Sequence, residues 1–163
     1  MAVEGEVLAR LKERFGEATF RAMGVVRARV VKVVLDRKDL FAVCQFLKEK
    51  LAVDHVSCIS AVDWRDHFES VYHLTSWPRN YMVQLNAWIP HDDPRIDSVT
   101  PLWNGANVHE REAYDLMGIV YDGHPNLTRI LLPKDFEYFP LRKDFPQEVD
   151  RQYVSRRKIG GGG

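Results

Sequence analysis

Four prolines punctuate the last part of the chain at near-regular intervals: Pro125, Pro133, Pro140 and Pro146. Proline has no backbone N–H and holds φ near about −65°, so this density forbids a long helix or a central strand in residues 119–159. The same stretch carries Ile130, Leu131, Leu132, Phe136, Tyr138, Phe139, Leu141 and Phe145. Disordered linkers are poor in such side chains. A segment that cannot form a regular element, yet holds this many apolar anchors, must bury them on a ready-made surface. That surface is either a partner, to which the arm supplies contact side chains, or the arm's own domain.

The scaffold has to come from the residues before Gly118. Val7, Leu8, Leu11 and Phe15 fall at helical spacing and Gly16 follows, which predicts an amphipathic helix over 3–15. Residues 18–23 and 25–35 read as strands with the turn at or near Gly24. In the second strand, Val26, Ala28, Val30 and Val34 share one face, with Arg27 and Arg29 on the other. Asp36 is placed to cap a helix, with Asp39 as a capping-box variant, and Leu40, Val43, Cys44, Leu47 and Leu51 form its apolar stripe. Three strand-like segments follow at 55–63, 67–77 and 80–89, with short polar connections suited to an antiparallel meander. His91-Asp92-Asp93-Pro94 breaks the pattern. Asp97 or Ser98 can then cap a helical stretch that reaches Met117 with a break near Gly105, and Gly118 ends it. The order helix-strand-strand-helix-strand-strand-strand predicts an α+β, two-layer domain over 1–118. Its sheet is largely antiparallel and covered by helices, and an extended Pro/aromatic-rich C-terminal arm follows over 119–163.

Charge and motifs exclude more than they assign. The 163 residues carry 23 Lys plus Arg against 23 Asp plus Glu. A neutral chain is a poor candidate for gripping nucleic acid or an anionic membrane by charge. A small basic surplus begins at Arg151 and includes Arg156-Arg157-Lys158; Gly160–Gly163 is the one low-complexity piece. No run of 18 apolar residues and no apolar leader are visible, so neither a membrane span nor a secretory signal is expected. Cys44 and Cys58 are too few to ligate a common iron–sulfur cluster and are expected to be reduced, buried packing residues. His109-Glu110-Arg111-Glu112-Ala113 resembles a zinc-protease helix motif, but the fifth position is Ala113, so the second ligand is missing. Arg111 and Asp115 stand four apart and are expected to pair along one helix face. His124, in the Asp122-Gly123-His124-Pro125 turn, reads as a structural hydrogen-bonder. No nucleotide-binding glycine loop and no nucleophile elbow are present. A stand-alone enzyme built on His109, Glu110 and His124 therefore lacks both ligand and base geometry.

Three linked blocks carry a family resemblance. The run from Trp103-Asn104-Gly105-Ala106-Asn107-Val108-His109-Glu110-Arg111-Glu112-Ala113-Tyr114-Asp115 to Leu116-Met117-Gly118-Ile119 resembles the signature of the 30-kDa-type subunit of respiratory complex I, the C-type subunit of NADH–quinone oxidoreductase. The likeness continues through Gly123-His124-Pro125-Asn126-Leu127-Thr128-Arg129-Ile130-Leu131-Leu132-Pro133 and Pro140-Leu141-Arg142-Lys143-Asp144-Phe145-Pro146. Tyr121 and Phe136-Glu137-Tyr138-Phe139 depart from the usual residues but keep their aromatic character. The resemblance implies a subunit with no catalytic residue and no cofactor or metal of its own; FMN, iron–sulfur clusters and quinone reside on partner subunits. It implies docking on the large quinone-site subunit (D type) and on cluster-bearing subunits (B and I types). Membrane association would be indirect, at the cytoplasmic face of a prokaryotic cell membrane. It implies interface or tail-fixing roles for Glu110, Arg111, Glu112, Asp115, His124, Arg129, Arg142, Lys143 and Asp144, with Phe136, Tyr138, Phe139 and Phe145 as apolar anchors. Subunits of this type also occur in ferredoxin- or F(420)-dependent dehydrogenases and membrane-bound [NiFe] hydrogenases, so the electron donor stays open.

Overall fold

Helix α1 (Val3–Phe15) forms where its apolar stripe predicts, with Val7 and Leu11 fully buried and Glu4 and Glu6 in the first turn, where the helix dipole favours acidic groups. The computed structural model describes residues 2–146; the basic run from Arg151 and the terminal glycines lie outside the described residues. Strand β1 (Phe20–Arg27) and strand β2 (Val30–Asp36) make an antiparallel hairpin. Its turn lies at Ala28-Arg29 and not at Gly24, which sits inside β1 opposite Lys32. Arg29 takes the left-handed conformation the turn needs, at φ 63°. Two distant contacts fix it there. Its N–H donates to the Glu4 carboxylate of α1, and its carbonyl accepts the Met82 N–H at 2.8 Å.

This shift reverses the expected faces of β2. Val31, Val33 and Leu35 point into the core, while Val30, Lys32 and Val34 line the open face. A one-residue change of register turns every side chain over, so the turn position decides which valines are buried. Asp36 does not cap a helix. It ends β2 and its carboxylate holds Arg21 at 2.6 Å. A 3₁₀ turn over Arg37–Asp39 leads into helix α2 (Leu40–Leu51), which has no side-chain cap and buries Leu40, Val43, Cys44, Leu47 and Leu51 as its stripe predicts. Helix α2 ends on Ala52 at φ 55°, with the Val53 N–H returning to the Leu47 carbonyl. An L-residue is strained in that conformation and glycine is not. Ala52→Gly is therefore expected to stabilise the fold by about 0.5–1 kcal/mol, seen as a higher urea midpoint.

Strands β3 (His55–Asp63), β4 (His67–Ser76) and β5 (Tyr81–Pro90) form the expected antiparallel meander. Strand β5 also pairs with β2 in parallel, so the five-stranded sheet has the order β1-β2-β5-β4-β3. The period-2 alternation of β4 and β5 sends Phe68, Tyr72, Leu74, Val83, Leu85, Ala87 and Ile89 to the face shared with the helices' buried stripes. One side of the sheet is thus covered by helices and the other is open, an arrangement common to antiparallel sheets.

The segment before α3 departs from expectation. Arg95–Asp97 is a short strand, β6, and helix α3 spans only Ala106–Met117. Ser98 does not cap a helix; its side chain is committed to Glu110, twelve residues on. Gly118 ends α3 at φ 71°, as expected. Strand β7 (Val120–Asp122) pairs in parallel with β6, and Ile119 and Tyr121 are buried in the main core. The packed unit therefore runs past Gly118 to the turn at Gly123, and the non-regular arm begins there.

Candidate functional site

The signature residues of α3 bind the arm, and they do so with buried groups. Asp115 is fully buried. Its Oδ2 accepts three consecutive backbone N–H groups, from Ile130 at 2.9 Å, Leu131 at 2.7 Å and Leu132 at 3.0 Å. Its Oδ1 accepts the Arg129 guanidinium at 2.8 Å. Burial alone would push this carboxyl up. The N–H groups and the guanidinium more than reverse that, and hold it below the usual carboxylate range. The expected Arg111–Asp115 pair along the helix is not formed. Arg111 instead donates to the Thr128 carbonyl at 3.0 Å and the Thr128 hydroxyl at 2.9 Å. The arm supplies a better partner for Asp115 in Arg129, because its three N–H groups arrive with it.

Three further contacts fasten the arm. His124 bonds the Asn107 carbonyl through Nε2 at 3.1 Å and accepts the Asn126 N–H on Nδ1, a structural role in the turn. Arg142 reaches the end of α3: its Nε donates to the Met117 carbonyl at 2.6 Å, and its guanidinium lies 4.7 Å from the Phe139 ring and 5.0 Å from Phe68. A cation there satisfies carbonyls that the helix leaves open. Asp63, at the end of β3 and not singled out from the sequence, accepts the Lys143 N–H at 2.9 Å, the Arg65 N–H at 3.0 Å and His91 Nε2 at 3.0 Å. Residues 124–146 thus make these contacts with the chain's own helices and strands.

Its aromatic residues divide. Phe136 is buried beside Tyr138 and Phe145, with ring centroids 6.2 and 6.5 Å away. Phe139 is half-buried against Tyr114 and beneath the Arg129 and Arg142 guanidinium groups. Leu131, Leu141 and Tyr138 face outward, 62%, 60% and 41% exposed. A surface hollow of about 240 Å³ opens among Glu137, Tyr138, Phe139, Arg142, Asp144, Phe145 and Pro146. Glu112, Lys143 and Asp144 are exposed.

Glu110 differs from every other residue of the signature. It is fully buried, its carboxylate accepts the Ser98 hydroxyl at 2.6 Å and the Val99 N–H at 2.8 Å, and among the described residues no cation pairs with it. It ties the loop before α3 to the helix, and neither it nor Asp115 exposes any surface within this chain. Burial pushes its carboxyl up to about 7, against the opposing pull of the two donors. A folded-state value above the ordinary one means that the stability this group contributes is fully present below about pH 4.5 and is lost as pH rises through about 7. Glu110→Gln is expected to remove most of that loss, roughly 3 kcal/mol, and to make the melting temperature flatter between pH 5 and pH 8.

Among the described residues, no group of three or more His, Cys, Asp and Glu side chains is placed to hold a metal ion. Cys44 and Cys58 are free thiols; Cys44 is buried, which pushes its thiol up, and Cys58 is only half-buried. Among the described residues no helix is long and apolar enough to cross a membrane.

The clamp and the arm it holds lie within residues 33–151, the span that matches the family described as respiratory-chain NADH dehydrogenase, 30 Kd subunit. The chain belongs to that family. The C-type subunit of the NADH-quinone oxidoreductase of Geobacter sulfurreducens is 39% identical over 157 residues, covering 93% of this chain and 96% of that protein. The C-type subunit of the F(420)H(2) dehydrogenase of Methanosarcina mazei is 36% identical over 154 residues, covering 91% and 97%. Among solved structures, the trypsin-resistant fragment (1-134) of Nqo5 matches with a TM-score of 0.65 at 29% identity, over 74% of this chain and 99% of that one. A chain of the archaeal membrane-bound sulfane sulfur reductase shares the fold, with a TM-score of 0.78 at 22% identity over 97% and 92%. The mostly antiparallel sheet with its helices is therefore the fold of this 30-kDa family.

Proposed function

We propose that the chain is a non-redox structural and assembly subunit, of the C type, in the peripheral arm of a proton-translocating NADH–quinone oxidoreductase. In this reading it docks on the large quinone-site subunit and on cluster-bearing neighbours, which carry the FMN, the clusters and the quinone. It sits at the cytoplasmic face of the cell membrane through those partners. The observation that carries the reading is the clamped arm. Asp115, Arg129, Arg142 and Asp63 spend buried charge and backbone hydrogen bonds on holding an irregular segment, and the held segment presents Leu131, Tyr138 and Leu141 outward. Rigid, exposed apolar side chains beside a hollow suit an interface, because little entropy is lost when a partner covers them. Glu112, Lys143 and Asp144 are the exposed charges available for the rim.

The comparable likeness to a component of an F(420)H(2) dehydrogenase favours a second reading, in which the same scaffold serves a complex with another electron donor. Isolating the tagged chain from its own cells separates the two by the donor-side subunits that accompany it. Removal of the residues after Gly123 should leave a soluble chain that no longer retains them. A stoichiometric flavin or iron–sulfur spectrum from the isolated chain would overturn the non-redox role.

A further inference from the structure

Strand β1 is the outer strand on one side of the five-stranded sheet, and among the described residues β2 is the one strand it pairs with. Its register with β2 shifts between Phe20 and Ala22 and again between Val25 and Arg27. The regular run is therefore Ala22–Val25, framed by two bulges. Bulges and charges normally keep an edge from pairing. Here they shorten the free edge without removing it.

Three features of this edge have no use among the described residues. Val25 and Val26 are 54% and 57% exposed at consecutive positions. Gly24 lies mid-strand without a positive φ, and a Cβ built there would meet nothing within 4 Å. Neither a turn nor a close contact within the chain calls for a glycine, and a strand glycine of this kind marks a place where another backbone or a bulky side chain comes near. Arg27 is exposed and forms no salt bridge among the described residues. At the other end, Arg21 is already engaged by Asp36 and by the Trp88 ring, 4.4 Å away.

Charge selects the occupant. Two copies of β1 paired antiparallel about Gly24 would set Arg21 of each opposite Arg27 of the other, and like charges directly opposed disfavour pairing. A strand with an apolar centre and an acidic residue at the Arg27 end meets no such conflict. We propose that Ala22–Val25 receives a short β-strand from a partner subunit, antiparallel or parallel, with a bulky side chain packed over Gly24 and an acidic residue facing Arg27. The proposal rests on the reading of this chain as one subunit of a larger complex.

The test uses the full chain expressed with the other subunits of its own complex. Gly24→Val adds a side chain where the chain alone is empty, so the isolated variant should melt no lower than wild type. The double variant Val25→Lys, Val26→Lys alters only exposed side chains. Co-purification of partners is expected to fall at least five-fold in both, and in Arg27→Glu. Partner yields equal to wild type in Gly24→Val and in the double variant overturn the added strand and leave the reading as a subunit standing. A wild-type chain that retains no partner overturns both. Dimerisation of the isolated wild-type chain, lost in the double variant, overturns the choice of a partner strand in favour of a second copy.

Discussion

Asp115→Ala is expected to destabilise the chain by about 3–5 kcal/mol, because it leaves three backbone donors without an acceptor and a nearly buried guanidinium with only the Asp115 and Tyr138 carbonyls. Arg129 keeps only 11% of its side chain in contact with solvent, and the N–H groups of Ile130, Leu131 and Leu132 have no other acceptor at that position. The loss should be local first. Trypsin should cut after Arg129, Lys134, Arg142 and Lys143 faster than in wild type, before the sheet opens, since the arm has no regular structure to fall back on. Asp115→Asn should recover little: one amide oxygen remains as an acceptor, while the amide nitrogen points its own hydrogens at donors. Acid should imitate the substitution. The Asp115 carboxyl lies below its ordinary range in the folded chain, so the stability it contributes is present above about pH 4 and is lost as pH falls through the folded value. Urea midpoints of wild type and Asp115→Ala, measured at falling pH, should converge as the carboxyl protonates. An arm equally protected in Asp115→Ala and in wild type would show that the aromatic contacts hold it without the clamp.

Gly118→Ala is the second large effect. Gly118 ends helix α3 at φ 71°, where an L-residue is strained. An added Cβ would also stand 2.6 Å from the Arg142 guanidinium and 2.7 Å from the Phe139 ring. Both side chains belong to the arm, and Arg142 closes the helix through the Met117 carbonyl. The strain and the displaced cap together are expected to cost about 2–4 kcal/mol. Gly123→Ala separates the two contributions. Gly123 has φ 81° but nothing within 4 Å of its Cβ position, so it should show the strain alone, about 1–2 kcal/mol. Urea midpoints of the two variants give the difference, which is the contribution of the arm packed over Gly118. Equal midpoints would mean that the arm yields without cost.

Much of the framework is legible in the sequence because its causes are local. The stripes of α1 and α2 and the alternation of β4 and β5 each repeat within a few residues, so periodicity alone locates them. The hairpin shows where this stops. Gly24 looks like the turn from its neighbours, yet Arg29 makes it, because Glu4 and Met82 hold that residue from two other elements. The site shows the same limit. The acidic and basic residues of α3 are visible as a cluster, and helical spacing pairs Arg111 with Asp115. The structure gives each a different partner from the arm. Glu110 reads as one of the surface charges and is core, since nothing in a helix sequence announces a serine and a backbone N–H waiting twelve and eleven residues earlier. Asp63 carries no signal, because the segment it binds lies 80 residues on.

By itself the sequence determined the class of fold, the meander of β3, β4 and β5, the end of α3 at Gly118, and the family, through motif blocks dense enough to be specific. It also determined that residues 119–159 could not form a long helix or a central strand. Tertiary structure alone decided which valines of β2 face the core, which cation answers Asp115, and which contacts residues 124–146 make with the chain's own helices and strands, with Leu131, Tyr138 and Leu141 left outside. The physical reason is the range of the forces involved. Dihedral preference and hydrophobic period act between near neighbours in the chain. Turn position, buried charge and the choice of exposed face depend on groups that meet only after the chain has folded.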